Sequence, residues 1–405
     1  MKIHQITQLF APDSLGGAVL FTDFARFMRE RGHDVRVTST FPYYPRLKYA
    51  PGDEGVAVRE EIFEGIPLRR VGMKLPAKHR GWRRLIPELT YWRALRRHGR
   101  FEGWRPDVVF GASPMLAQPL AARGLYGEAV PSVVVVQDLM ADAARRLGII
   151  RQPGLGRLLA ALERRTLRRV DRLVTISEEM GARLGELTGG PREISVVRNW
   201  IHASLEREAA AVSTEGIVRT ERSLIYSGNV GVKQGLPDFL MQFFGLKTGW
   251  SLRVHGDGAE AEALRRTQAA QPELTIGPLL PEPAYVRALA EAQACLITQR
   301  AGVGDSFLPS KLLPALATGT PVLAVCERAS PLGREVSAHG FGEIVDPGDG
   351  AGVQRVLQRW ADEPGALVRL SERARVRAGA FDRVSALNAY EMVLAEAAGK
   401  AEGRR

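Results

Sequence analysis

The stretch SGNVGVKQGL sets Gly228, Gly231 and Gly235 around one lysine, Lys233. Glycine lets a backbone come close to a ligand, and the free N–H groups at a following helix start favour an anion. A cation in such a turn can neutralise a diphosphate and stabilise it as a leaving group. A plain surface lysine is the competing reading, and its place in a strand–turn–helix favours the phosphate role. The stretch QRAGVGDSFLPSKLLPALATGTPVLA, from Gln299 to Ala324, is denser in chemistry. Arg300 ends an apolar run, Asp305 and Ser306 sit in a glycine-bearing loop, and Pro309, Ser310 and Lys311 open a helical pattern. Proline suits a first helical turn, and Lys311 beside a helix start forms a second cationic anion site. Near the start of the chain, APDSLGGAVL leads through Gly16 and Gly17 into a helix, a weaker signal that an ordinary turn explains equally well. LRVHGDGAEA fits G-x-G-x-x-A through Gly256, Gly258 and Ala261, with Asp257 between the glycines. A dinucleotide site would need an acidic residue at the end of the next strand, where LTIGPLL has Gly277, Pro278 and Leu279. A turn lining a nucleotide base remains.

The elements that must position these residues alternate. KIHQITQLF, the helical stretch Ala18 to Arg31, DVRVTST, DVVFGAS, SVVVVQD, RLVTIS and ISVVRNW read as a parallel sheet wound on both faces. From about His202 to Arg222 the composition turns polar and small, as in a linker. SLIYSGN, SLRVHGDG, LTIGP, CLITQR, PVLAVCE and FGEIVDP then open a second sheet of the same kind. The expected organisation is a first domain over 1–202, a linker over 203–222 and a second domain over 223–382. A last helix at about 383–400 is expected to return to the first domain. Two such α/β sheets facing each other place a ligand cleft between the carboxyl ends of their strands.

At 405 residues the chain suits two domains, and 45% hydrophobic with 25% charged residues indicates folded rather than disordered protein. Absence of a long uncharged apolar run or a signal-peptide pattern predicts a cytoplasmic protein. The two cysteines, Cys295 and Cys326, fall in apolar strand-like runs and read as buried free thiols. The net charge of +11 is partly local, in KHRGWRRLIPELTYWRALRRHGRFEGWR from Lys78 to Arg105. There Trp82, Leu85, Ile86, Leu89, Trp92 and Leu95 recur at helical spacing beside arginines. A face of that composition, over 81–105, suits an anionic membrane surface or simply packs on the core. It carries no base-reading motif, so nucleic acid is not expected as a partner.

GNVGVKQG, HGDG and LPSKL…ALATGTPVLA, in this order, resemble the retaining glycosyltransferases of family 4 with the GT-B fold. DSLGGAVLFTDFARFMRERGHDV, FPYYP and VVQDLMADAARRLGI resemble the colanic-acid-type branch that builds bacterial exopolysaccharide. The resemblance spans nearly the whole chain. It implies two Rossmann-like domains, a nucleotide-diphosphate sugar as donor substrate bound mainly by the second, retained anomeric configuration, and no metal or other cofactor. By resemblance Lys233 meets the diphosphate, with Gly228, Asn229 and Gly231 in its loop and Gly16 and Gly17 in the facing one. Gly256 to Gly258 and Gly277 to Leu279 lie by the base, and Pro309 and Ser310 lead into Lys311. Three departures stand out. Asn229 occupies a position where many relatives have arginine, so Arg300 or Lys311 must supply a second cation. Ser306 and Pro314 occupy the positions of two glutamates, leaving Asp305 to hold a sugar hydroxyl. Gln137 replaces a histidine, leaving Asp138 as the polar neighbour of the sugar.

The function expected is transfer of a sugar to a saccharide acceptor, lipid-linked, in exopolysaccharide or cell-surface glycan synthesis at the cytoplasmic face of the membrane. A sugar-nucleotide epimerase or a non-catalytic sugar-nucleotide-binding protein of the same fold is the alternative.

Overall fold

The computed structural model describes residues 1–13, 16–43, 47–75, 86–112, 116–139, 153–189, 193–219, 221–244, 249–268, 272–302 and 308–402. The chain divides into two compact units, Met1–Asn199 with Val384–Arg405, and Trp200–Arg383.

The first unit runs β1 (Lys2–Ile6), α1 (Gly17–Glu30), β2 (Asp34–Thr40), β3 (Val58–Phe63), β4 (Ile66–Val71), α2 (Ile86–His98), β5 (Val108–Ala112), α3 (Ala117–Gly124), β6 (Ser132–Val136), α4 (Pro153–Arg169), β7 (Arg172–Thr175), α5 (Glu178–Thr188) and β8 (Ile194–Val196). Among the described residues its strands form one sheet in the order β3-β4-β2-β1-β5-β6-β7-β8. Every neighbour pair is parallel except β3 with β4. That hairpin departs from the expected all-parallel sheet. Glu64 and Gly65 turn it at positive φ, and the charged, largely exposed β3 forms a sheet edge that resists pairing with other chains. The central strands β5 and β6 are apolar and buried throughout, as strands covered on both faces must be. α1 repeats apolar residues at spacings of three and four and buries Leu20, Phe21, Phe24, Phe27 and Met28 against them.

The basic segment packs inward where it is described. α2 buries Pro87, Tyr91 and Leu95, and Trp92 packs against the same core, while Leu89 stays 51% exposed beside the exposed Arg93, Arg96 and Arg97. Residues 81–85 lie outside the described residues. Glu88, mostly buried, accepts a hydrogen bond from the Ala117 N–H at the start of α3, and burial pushes its carboxyl up to about 7.

The second unit runs α6 (Ala203–Thr214), β9 (Ser223–Ser227), α7 (Leu236–Phe244), β10 (Ser251–His255), α8 (Ala261–Gln268), β11 (Leu274–Gly277), α9 (Glu282–Glu291), β12 (Ala294–Thr298), α10 (Leu312–Ala317), β13 (Val322–Val325), α11 (Pro331–His339), β14 (Gly342–Val345), α12 (Gly350–Asp362) and α13 (Pro364–Ala378). Residues 203–222, expected as a linker, carry α6, which buries Leu205, Ala209 and Val212 in this unit's core. Three apolar residues at spacings of four and three suffice to seat a helix whose other positions are small or charged. The six described strands are all parallel, in the order β11-β10-β9-β12-β13-β14. The order reverses direction between β9 and β12, which is the topological switch point of a doubly wound sheet. Both cysteines are buried and free.

The last helix, α14 (Arg383–Glu402), belongs with the first unit over nearly all its length. Its Tyr390 is fully buried, edge-on to Phe24 and Phe110 at 5.7 Å from each. Its Glu391 accepts a hydrogen bond from the His33 ring at 2.8 Å.

Candidate functional site

At the switch point β9 and β12 pair only through Leu224 with Ala294 and Ile225 with Cys295. Beyond that register the two strands part, and the crevice so opened receives the turns at their carboxyl ends. Such a crevice is where doubly wound sheets bind ligands.

The first turn, after β9, is held by its neighbours' backbones. Gly228 has φ +120° and donates its N–H to the His255 carbonyl at 2.8 Å. Val230 donates to the Asp257 carbonyl at 2.9 Å, and the Tyr226 hydroxyl donates to the Asn229 carbonyl at 2.6 Å. Gly231 donates to the Gln234 side chain at 3.1 Å. Gly256 is required by close approach, because a Cβ there would lie 2.0 Å from the Gly228 carbonyl oxygen. One at Gly258, where φ is +153°, would lie 2.5 Å from that of Val230. The glycines of HGDG therefore shape the β9 turn, and the exposed Asp257 caps its own loop by accepting from the Gly258 N–H at 2.9 Å. On the next turn Gly277 accepts from the Gly256 N–H at 3.2 Å, the Pro278 carbonyl sits 3.3 Å from His255 Nδ1, and Leu279 is half-buried. Burial draws the His255 imidazole below its ordinary pKa.

The two candidates for a second cation beside Lys233 differ. Arg300 donates its backbone N–H to the Lys233 carbonyl at 2.9 Å, and its guanidinium grips Asp238 at 2.8 Å, with Glu260 3.9 Å away. Its charge is paired with α7, and through its backbone N–H it latches the glycine turn. Lys311 stands one residue before α10, behind Pro309 and Ser310. Its Nζ lies 4.5 Å from the centre of the Tyr226 ring, and its Cε and Nζ lie 3.1 Å from where a Gly228 Cβ would be. No carboxylate partners this ammonium among the described residues, and burial pushes it down to about 8. The six-residue α10 is too short for the helix-dipole contribution expected of it, so the positive charge at this place is the lysine's own. Lys233 is half-buried on the β9 turn.

Asp305 and Ser306 lie outside the described residues. In the first unit Gly16 caps α1 at φ 61° with open space around it, whereas a Cβ at Gly17 would press the Phe21 ring at 3.0 Å. Asp138 is half-buried just past β6, next to Gln137, whose amide donates to Asn199 at 3.0 Å. These three positions belong to one unit and the β9, β10, β11 and β12 turns to the other. Sequence reasoning missed Tyr226, the platform under Lys311, and Asp238, the partner of Arg300; both look like ordinary strand and helix residues in one dimension. It also passed over Gln299, buried with neither end of its carboxamide hydrogen-bonded among the described residues.

Residues 16–200 match the family model described as Glycosyl transferase 4-like domain. The chain is 25% identical over 366 residues, 86% of its own length and 89% of the relative's, to the protein named as a colanic acid biosynthesis glycosyl transferase, WcaI, in Escherichia coli (strain K12). Among solved structures it is similar to a sucrose-phosphate synthase from Thermosynechococcus elongatus, with TM-score 0.72 and 13% identity over 98% of this chain and 99% of that one. HepE of Anabaena, solved in complex with UDP-glucose, gives TM-score 0.66 and 13% identity over 98% of this chain and 100% of that one. The match over 16–200 shows a glycosyl transferase 4-like domain, the two-sheet architecture is the GT-B fold, and along most of its length the chain is similar to a glycosyl transferase.

Proposed function

We propose that this glycosyltransferase moves a sugar from a nucleotide-diphosphate donor to a saccharide acceptor, with retained anomeric configuration and without a metal ion. The observation that carries the reading is the ammonium of the half-buried Lys311, 4.5 Å from the centre of the Tyr226 ring and beneath the Gly228 turn at the switch point, with no carboxylate partner among the described residues. A partly desolvated cation at the mouth of such a crevice favours an anion that arrives to meet it. A diphosphate laid on the β9 turn is such an anion, and a HepE structure with bound UDP-glucose shows that a protein of this fold takes one.

In the step proposed, the acceptor hydroxyl oxygen bonds to the anomeric carbon while the bond from that carbon to the diphosphate breaks. The electron pair leaves with the β-phosphate, which takes the acceptor's proton on the same face of the sugar. Lys233 and Lys311 stabilise the charge that grows on the leaving oxygen, the task a metal ion performs elsewhere. The second unit would hold the donor through Gly228, Asn229, Gly231 and the turns at Gly256–Gly258 and Gly277–Leu279. The first unit would present the acceptor. Residues 81–105, basic and with Leu89 exposed on α2, fit a lipid-linked acceptor met at an anionic cytoplasmic membrane face.

The test is transfer from UDP-, GDP- and ADP-sugars to saccharide and lipid-linked acceptors, with and without EDTA, with the product linkage read by NMR. Turnover should survive chelation, retain configuration and fall about a hundredfold in Lys233→Ala. An inverted linkage, loss in EDTA rescued by magnesium, or isomerised donor without acceptor would overturn the reading. Binding to anionic vesicles that ignores salt, or is unchanged when Arg93, Arg96 and Arg97 become glutamine, would remove the membrane part.

A further inference from the structure

Gln299 is the first residue after β12 and only 6% exposed, yet neither Oε1 nor Nε2 has a hydrogen-bond partner among the described residues. Most buried amides in folded proteins are hydrogen-bonded, so an amide orphaned at both ends needs an explanation. Its position supplies one. The strand alternation of β12 sends Cys295 and Ile297 into the core face that also holds Leu312, Leu313 and Leu316 of α10. Gln299 continues that parity, its N–H still bonded to the Val325 carbonyl at 2.8 Å. It therefore ends the strand on the side of the sheet from which Lys311 enters the crevice.

Strand order then selects the part of a ligand it meets. The β10 turn with Asp257 lies on one side of β9 and β12 on the other. In a doubly wound nucleotide site the ribose lies at the end of the second strand and the diphosphate over the first, so a group carried on the far end of the diphosphate reaches the fourth. Resting on the donor reading above, we propose that Gln299 is a specificity-determining residue that reads the hydroxyls of the transferred sugar. The chemistry agrees: phosphate oxygens only accept and would satisfy Nε2 alone. Neighbouring sugar hydroxyls both donate and accept, and satisfy the two ends together.

The experiment is calorimetric titration of the full chain with UDP, GDP and ADP and with UDP-glucose, GDP-mannose and ADP-glucose. Wild type is compared with Gln299→Met, which keeps length without polarity, and Gln299→Glu, which keeps only acceptors. For the nucleotide that wild type binds, the sugar-bearing form should bind more tightly than the bare diphosphate. Gln299→Met should lose about tenfold of sugar-nucleotide affinity while the bare diphosphate binds as in wild type. Its unfolding midpoint should be unchanged or higher, since no hydrogen bond is removed and a buried orphan is. A residue that merely braced the fold would lower the midpoint and weaken both ligands alike. Equal weakening of both, or a full sugar increment in both variants, overturns the assignment while leaving the donor reading in place. Wild-type protein that binds none of the six ligands overturns the donor reading itself, and Gln299 with it.

Discussion

Lys311→Met removes a charge that the fold desolvates at a cost, so this loss of a proposed binding residue should stabilise the protein. In the unfolded chain the lysine stays protonated to its ordinary 10.5, in the fold only to about 8. Between those values the unfolded chain binds more protons, so wild-type stability rises with pH there, and below about 8 the full burden of desolvating the charge is present. That burden is about 3 kcal/mol at one decade of affinity per 1.4 kcal/mol. The ammonium over the Tyr226 ring is worth about 1 kcal/mol, which methionine forfeits. The net gain at pH 7 is therefore about 2 kcal/mol, or about 4–8 °C in the unfolding midpoint for a unit of this size. Methionine has nearly the lysine's length and keeps the packing under Gly228. Paired thermal scans of wild type and Lys311→Met at pH 7 and pH 10 read the effect, and titration with UDP reads the function. The gain should shrink at the higher pH, and UDP should bind at least tenfold more weakly to the variant. A variant less stable than wild type at pH 7, with UDP binding unchanged, would refute the idea of a desolvated cation awaiting an anion.

The same geometry sets three further outcomes. Gly256→Ala should cost about 3 kcal/mol or more and distort the β9 turn, because its Cβ would meet the Gly228 carbonyl oxygen at 2.0 Å; a urea midpoint close to wild type would contradict this. Arg219 donates to the carbonyls of Ala290, Thr318 and Gly319 and to the hydroxyls of Ser371 and Thr320, so it fastens the end of α10. Arg219→Ala should cost about 2–4 kcal/mol, with Arg219→Lys restoring little, as read by denaturant titration. At Glu391 burial is outweighed by the hydrogen bond from His33 and the Arg31 guanidinium, which hold the carboxyl below its ordinary pKa. Its contribution is thus present above the unfolded value and lost as pH falls through the folded one. The midpoint difference between wild type and Glu391→Gln should therefore narrow from pH 7 to pH 4.

Apolar runs such as DVVFGAS, SVVVVQD and CLITQR announce β5, β6 and β12 because a strand buried on both faces needs an unbroken apolar sequence. The β3–β4 hairpin escaped such a reading since VREEIF is an exposed edge, charged for the sake of solubility rather than patterned by a core. α6 escaped it because three buried residues on one face leave its composition looking like a linker. At the candidate site, the places of Lys233 on a strand–turn–helix and of Lys311 at a helix start were legible from their glycine and proline surroundings. The commitment of Arg300 to Asp238, 62 positions earlier, was not, because partners of a charge are chosen by the fold and leave no local trace. The HGDG glycines were legible as a turn, but their purpose, to let a neighbouring turn's carbonyl come close, is visible only once β9 and β10 lie side by side.

The claim on which the account turns is that the diphosphate of a sugar nucleotide settles over the β9 turn and meets Lys311. A crystal structure of the protein with bound UDP tests it most directly. The β-phosphate should lie within hydrogen-bonding reach of the Lys311 ammonium and of the turn from Gly228 to Lys233, with the ribose towards Asp257. Nucleotide ordered elsewhere on the chain, or phosphates out of reach of Lys311, would contradict it.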